Sequence, residues 1–530
     1  MDKHRAPLYE RLIEHRSRRA ASFHVPGHKN GATIPQPEGL QALMELDYTE
    51  ITGLDDLHQP EGVIREAELL AAECYGADRT FFLVQGSTLG NLAMILSVCR
   101  PGDLILVDRF VHKSVLNGLM LAHARAVFLT PVWDPLTGYA AGIDMESFRE
   151  TLHRYPEAKA VMLTRPNYFG YAADLSGIID EAHRAGLAVL VDEAHGAHFG
   201  FHEAVPVPAL SLGADAVVQS THKMLSALTM GAMLHVQGGR IDAGSIARTI
   251  RMLQTSSPSY PIMATLDVAR RLVHTHGRDL LEQGLAAVRR FVDAMGEMPW
   301  YVLPNTLQGS RDDDAARFVA SAGQAGDEDL CSRGPNQTNP MARTRTGAVR
   351  DPFKQPVRDG TGTLTGYELQ ELLEQHGCMV EMADPQHVLL VFSPFSSSAD
   401  SERIVQIFRH IAEQYQLDKK ELVPTLTNNN ILPLIPASIE PIQFSRHMMN
   451  PEEADEVPLA LAAGEYSADM LIPYPPGIPF VYPGEQLTEE LIHILKLMSG
   501  KGARFQGGMD SSLSKVRIVR RRLEAHERMT

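Results

Sequence analysis

Cysteine is scarce in this chain. Cys74, Cys99, Cys331 and Cys378 are scattered through 530 residues without CxxC spacing. Such usage excludes a disulfide frame and reads as reduced thiols in a cytoplasmic protein. Positive charge is also short: 49 Lys and Arg face 65 Asp and Glu, a net charge of −16. That balance argues against a nucleic-acid partner and favours the approach of cationic small molecules. No apolar run is long enough to cross a bilayer, so no membrane partner is expected. The opening MDKHRAPLYERLIEHRSRRA lacks the apolar core of a signal peptide. There is no P-loop and no internal repeat. What remains is an ordinary globular composition, 44% hydrophobic and 22% charged, long enough for two or three domains.

Residues 1–20 carry Leu8, Leu12 and Ile13 on one face of a predicted helix. From about 65 to 235, short apolar runs alternate with helix-like stretches. The runs are 80–84, 104–107, 126–129, 160–164, 187–191 and 216–219; helices are predicted over 144–154 and 177–185. Such alternation implies an α/β architecture, a mostly parallel sheet covered by helices on both faces. Ligands of such sheets sit at the carboxyl ends of the strands. Residues 308–362 lose periodicity and read as a long polar insertion. The tail from 426 is Pro-rich, and KVRIVRRRLEAHER near its end reads as a basic helix.

The chemistry-bearing residues follow the apolar runs. Lys223 ends the stretch VVQSTHKM; a lysine at the mouth of a buried strand loses hydration, and its neutral amine can form a Schiff base with an aldehyde. Thirty-one positions upstream, Asp192 ends the run LAVLV and opens DEAHGAH. A carboxylate there can hold a pyridine nitrogen protonated, and Ala194 is small enough to lie against a flat ring. Two other readings of DEAHGAH stand beside this one. DEAH occurs in helicases, which need a P-loop. His195 and His198, with Asp192 or Glu193, have the spacing of metal ligands. Ser87 and Thr88 in QGSTLGN sit at a predicted helix start, either as a phosphate cradle or as simple caps. His112 is either a stacking imidazole or a structural histidine. Ser220 and His222 adjoin Lys223 and offer further hydrogen bonds or a proton. QTSSPSY, 254–260, is a hydroxyl-rich turn.

These motifs, in this order, resemble the Orn/Lys/Arg decarboxylase family. The likeness also rests on SFHVPGHKNG, GLDDLHQPEGVI, VHKS, SSPSYPIMATLD and PPGIPFVYPGE. In length the chain is similar to the short Bacillus-type branch, without an N-terminal receiver-like domain. The resemblance implies the pyridoxal phosphate (PLP) dependent fold type I, aspartate-aminotransferase-like. It implies an N-terminal arm over 1–30, a PLP-binding large domain over 31–280, a small α+β domain over 281–425 and a C-terminal domain over 426–530. The implied activity is decarboxylation of arginine, lysine or ornithine to an amine and carbon dioxide.

The implied roles are specific. Lys223 carries PLP covalently, Asp192 pairs with its ring nitrogen, and His112 and Ala194 flank its two faces, with His195 beside them. Ser87, Thr88, Ser220 and His222 hold the phosphate, and His222 or Lys223 returns a proton to Cα. Ser256 and Ser257 reach the phosphate of a partner subunit, which makes a homodimer the smallest active unit. Glu485 receives the substrate's distal cation. One departure from the family pattern stands out: Arg165-Pro166-Asn167-Tyr168 replaces an Asn-Pro-Thr-Tyr sequence, which puts one cofactor contact in doubt.

Overall fold

A computed structural model describes residues 1–31, 39–134, 137–304, 348–423, 440–445, 454–474, 479–500 and 502–519. The predicted runs become strands nearly where expected: β1 (Arg79–Leu83), β2 (Leu104–Asp108) and β3 (Arg125–Leu129). A hairpin of β4 (Pro131–Trp133) and β5 (Ala140–Ile143) follows. Then come β6 (Ala160–Thr164), β7 (Tyr171–Ala172), β8 (Ala188–Asp192), β9 (Ala216–Gln219) and β10 (Ala232–Val236). The main sheet runs β1-β10-β9-β8-β6-β2-β3, with β9, β8, β6, β2 and β3 parallel and β10 antiparallel to its neighbours.

Successive side chains on these strands alternate between two cores. Leu104, Leu106, Val161, Leu163, Val189 and Val191 point into one. Ile105, Val107, Ala160, Met162, Ala188 and Leu190 point into the other. Both faces are covered, so the strands read as continuous apolar runs rather than as alternating ones. The helices Met145–Arg154 and Ser176–Arg184 fall where periodicity put them. Helix Gly86–Val98 lies hard against the sheet, because a Cβ on Gly90 would come within 2.3 Å of Val218 Cγ2. The chain has the expected fold type I architecture.

Helix Tyr260–Gly296 runs for 37 residues, with a non-helical break at His276. Its first turns, including Leu266, join one core of the large sheet; Leu281, Leu285 and Phe291 join the core of the small domain. The boundary drawn at 280 therefore falls inside one helix. The small sheet follows the order β11 (Tyr301–Val302), β13 (Lys354–Asp359), β15 (His387–Val391) and β14 (Met382–Ala383), while β12 (Val349–Arg350) pairs with β7.

Two expectations need correction. The insertion over 308–362 overreaches, since β12 and β13 lie inside it; the part up to 347 lies outside the described residues. Lys354, Gln355 and Arg358 disguised β13 as a polar loop, yet Lys354 and Gln355 are buried. The described part of the basic tail, Lys515–Val519, is a strand paired with Ala454–Pro458, not a helix. Ile442–Gln443 adds an antiparallel edge to β3. Among the described residues no helix is long and apolar enough to cross a membrane.

Candidate active site

One cavity of about 290 Å³ opens at the carboxyl ends of β6, β8 and β9. Ser87, Thr88, His112, Asp192, Ala194, His195, Ser220, His222 and Lys223 all line it. Residues 136 positions apart in sequence are thus brought together by strand order. Ser87 and Thr88 stand in the first turn of helix Gly86–Val98, and Ser220 Oγ donates to Ser87 Oγ over 2.8 Å. Hydroxyls beside the free N–H groups of a helix start suit an anion.

At the other end, Asp192 is 3% exposed at the close of β8. Asn91 Nδ2 donates to its Oδ2 (2.7 Å) and the Ala194 N–H to its Oδ1 (3.1 Å). Asn91 also donates to Ser114 Oγ (2.9 Å), which lies 2.8 Å from His112 Nδ1. Because the Ser114 N–H also reaches that nitrogen, Nδ1 accepts and the ring proton sits on Nε2. Burial lowers the pKa of His112, against the pull of Asp192, so the ring stays neutral and suited to stacking.

Lys223 follows Ser220 and His222 in the short helix Thr221–Met224. Burial lowers its pKa, opposed by Asp192 and Glu381. Its Nζ lies 3.1 Å from His195 Nε2, and on the ring's far side Lys354 Nζ lies 3.0 Å from Nδ1. His222 Nδ1 lies 3.0 Å from the Gly231 carbonyl, to which it donates, and burial lowers its pKa as well.

Arg165 does not enter the cavity. It is buried against Glu193 (Nη1 to Oε1, 3.1 Å) and donates to the Ala173 carbonyl. Burial raises Glu193 to about 7 even with that guanidinium beside it. His195 and His198 do not converge as metal ligands: His198 faces Asp351 at 3.2 Å, whereas His195 lies between two lysines. Among the described residues no cluster of three or more His, Cys, Asp or Glu side chains is placed to hold a metal.

Ser256 and Ser257 are exposed and lie outside this chain's own cavity. The turn that carries them is tied back to the cradle, since the Thr255 N–H donates to Gln85 Oε1 and the Val84 N–H to Gln254 Oε1. Glu485, expected to receive the substrate's distal cation, also lies outside this chain's own cavity. Its Oε1 takes Arg109 Nη2 at 2.7 Å and its Oε2 takes the Tyr482 N–H. A carboxylate already neutralised by a buried guanidinium has no charge to spare within this chain.

Sequence reasoning missed Thr164 and Tyr168 as cavity residues, and Asn91, Ser114 and Lys354 behind them. Asn91 had a signal, lying one helical turn after Ser87 in the same motif. Lys354 had none.

The family model for the major domain of Orn/Lys/Arg decarboxylases matches residues 6–316, and that for the C-terminal domain matches 425–511. The chain belongs to the Orn/Lys/Arg decarboxylase family. An arginine decarboxylase of Bacillus subtilis is 34% identical over 531 residues, covering 98% of this chain and 99% of the relative. Lysine decarboxylase LdcA of Pseudomonas aeruginosa is 26% identical, covering 92% and 75%. The constitutive lysine decarboxylase of Escherichia coli superposes with a TM-score of 0.75 at 20% identity, over 98% of this chain and 82% of that one. That last likeness is one of fold; membership of the decarboxylase family rests on the sequence matches.

Proposed function

We propose that this member of the family decarboxylates a basic L-amino acid, arginine, lysine or ornithine, with PLP as cofactor. The observation that carries the reading is that Asp192 and Lys223 share one narrow cavity with a hydroxyl-lined helix start. The residues present fit the cofactor. A carboxylate held by two donors suits the ring nitrogen, and Ser87, Thr88, Ser220 and His222 suit the phosphate. Thr164 Oγ1, on the cavity wall, has no hydrogen-bond partner among the described residues.

Bound PLP supplies an electron sink for the pair of electrons that carbon dioxide leaves behind. Asp192, oriented by Asn91, would keep a ring nitrogen protonated, and His112 and Ala194 would hold the cofactor ring. Lys223, its amine partly desolvated, would be the residue to hold the cofactor covalently. The proton returned to Cα comes from Lys223 Nζ or His222. Of the described residues lining the cavity none is an arginine, and Arg165 is spent on Glu193. A clamp on the α-carboxylate suits amino transfer, in which that group is kept; its loss is what decarboxylation requires.

Arginine is the substrate to test first, because the relative named an arginine decarboxylase aligns over nearly the whole chain. The exposed turn of Ser256 and Ser257, outside its own cavity, is consistent with a homodimer whose sites lie at the interface, and the free thiols of Cys74, Cys99 and Cys378 are consistent with a reducing cytoplasm. The deciding experiment supplies the three amino acids side by side and measures carbon dioxide and amine. One of them is turned over, and Lys223→Ala abolishes both turnover and the visible absorption band of the PLP-loaded protein. Turnover by that variant with added PLP would overturn the reading.

A further inference from the structure

Lys354 is 1% exposed, and the decarboxylation chemistry gives it no task. It comes from β13 of the small sheet, and its side chain lies over Gly170, where a Cβ would meet Lys354 Cβ at 2.7 Å. Its Nζ meets the same imidazole as Lys223 does, each on its own nitrogen. A neutral imidazole has one N–H and one lone pair, and an ammonium has donors only. Two ammonium groups cannot both be hydrogen-bonded to one neutral ring. An imidazolium is excluded in turn, because burial and the two neighbouring cations push His195 well below its ordinary pKa. One of the two amines must therefore be unprotonated and accept from the ring.

We infer that Lys354 acts on Lys223 through His195, which joins the two amines into a unit holding one proton fewer than two free lysines. The inference rests on Lys223 being the reactive amine. In one state the Lys354 ammonium donates to Nδ1 and the Nε2–H donates to the Lys223 lone pair. In the other the pattern is reversed. Passing between them, Nδ1 takes a proton from Lys354 while Nε2 gives one to Lys223. Two protons shift together, the net result is one proton passed from Lys354 to Lys223, the ring changes tautomer, and nothing is consumed. Lys354 is thus a positioning residue: it fixes whether the Nε2 of His195 that faces Lys223 carries the ring proton.

The surrounding charges fit this arrangement. His195 is faced by Lys223, Lys354, His112 and His222, and by the Tyr168 ring at 4.7 Å. Lys223 is faced by Asp192 and Glu381; Lys354 by Asp351, Glu381 and Lys223. Asp351 is taken by His198, and Glu381 accepts from the Tyr168 hydroxyl (2.6 Å). Burial lowers Lys354 to about 8, so it can give up its proton near neutral pH.

The test uses the PLP-free protein. Trace acetylation with acetic anhydride, read by mass spectrometry of the Lys223 peptide across pH, reports the protonation of that amine alone. The wild-type midpoint lies below that of an ordinary lysine. Lys354→Met raises it by about one pH unit, a loss of about tenfold in labelling below the midpoint. Lys354→Gln, which keeps a polar end in the buried slot, does the same and serves if the first variant misfolds. In a His195→Phe background the Lys354 substitution has little further effect, as expected for a residue acting through the ring. Superposable labelling curves for wild type and both Lys354 variants, or an undiminished shift without His195, would overturn the inference. Failure of wild-type Lys223 to form a borohydride-fixed bond with PLP would instead overturn the proposed function.

Discussion

Asn91 decides how Asp192 presents its carboxylate. The amide is wholly buried and donates to both Asp192 and Ser114, so it ties the carboxylate to the His112 ring. A hydrogen bond to a charged group contributes about 1.5–3 kcal/mol. Asn91→Ala should therefore weaken PLP retention by about tenfold or more, measured by equilibrium dialysis, while Lys223 can still be linked. Glu68 offers a test away from the site. It is buried, and its carboxyl pKa is pushed up to about 8, with the Phe82 N–H as its main compensation. An acid whose folded pKa lies above its unfolded value binds more protons folded, so stability falls as pH rises from about 4.5 to 8. Glu68→Gln should remove that decline; its melting temperature should exceed that of wild type more at pH 8.5 than at pH 5. Equal differences at the two pH values would refute this account.

At the scale of elements, helix Gly86–Val98 carries the cradle and owes its position to Gly90. Any larger side chain there meets Val218 on β9, the strand that delivers Ser220 and Lys223. Gly90→Leu should separate cradle from lysine, lowering PLP affinity, and should cost about 1–3 kcal/mol through overpacking, read in a urea titration. The element record also shows what the sequence could and could not reveal. The buried parallel strands announced themselves because both faces are apolar, and each motif at a strand's end followed from that. β13 did not, because Lys354, Gln355 and Arg358 are polar, and the partner that accounts for the buried Lys354, His195, lies 159 positions away. Arg165 was visible only as a departure from a pattern; its partner Glu193 became visible only once β6 and β8 lay side by side. The pairing of Glu485 with Arg109 was not legible, because a carboxylate in a Pro-rich turn does not reveal an arginine 376 positions away.

For the whole molecule, the exposed turn bearing Ser256 and Ser257 makes a prediction about two chains. If that turn completes a partner's site, Lys223→Ala mixed with a Ser256→Ala, Ser257→Ala double variant should regain activity absent from either alone. In mixed dimers one site would then keep both its own lysine and the partner's hydroxyls. Complementation that never appears after subunit exchange, verified by native mass spectrometry, would place those serines outside catalysis. Much of the large domain was legible because its cores are built from local runs. The assembly was not, because a surface turn looks the same whether or not another chain covers it.

His195 also has a mechanical side. Lys223 belongs to the large sheet's half of the molecule and Lys354 to the smaller half, and the two halves share one long helix interrupted at His276. The ring between the two amines is therefore a clasp as well as a relay. Drawing Lys223 toward a group in the cavity therefore draws it off one of the ties that span the two halves.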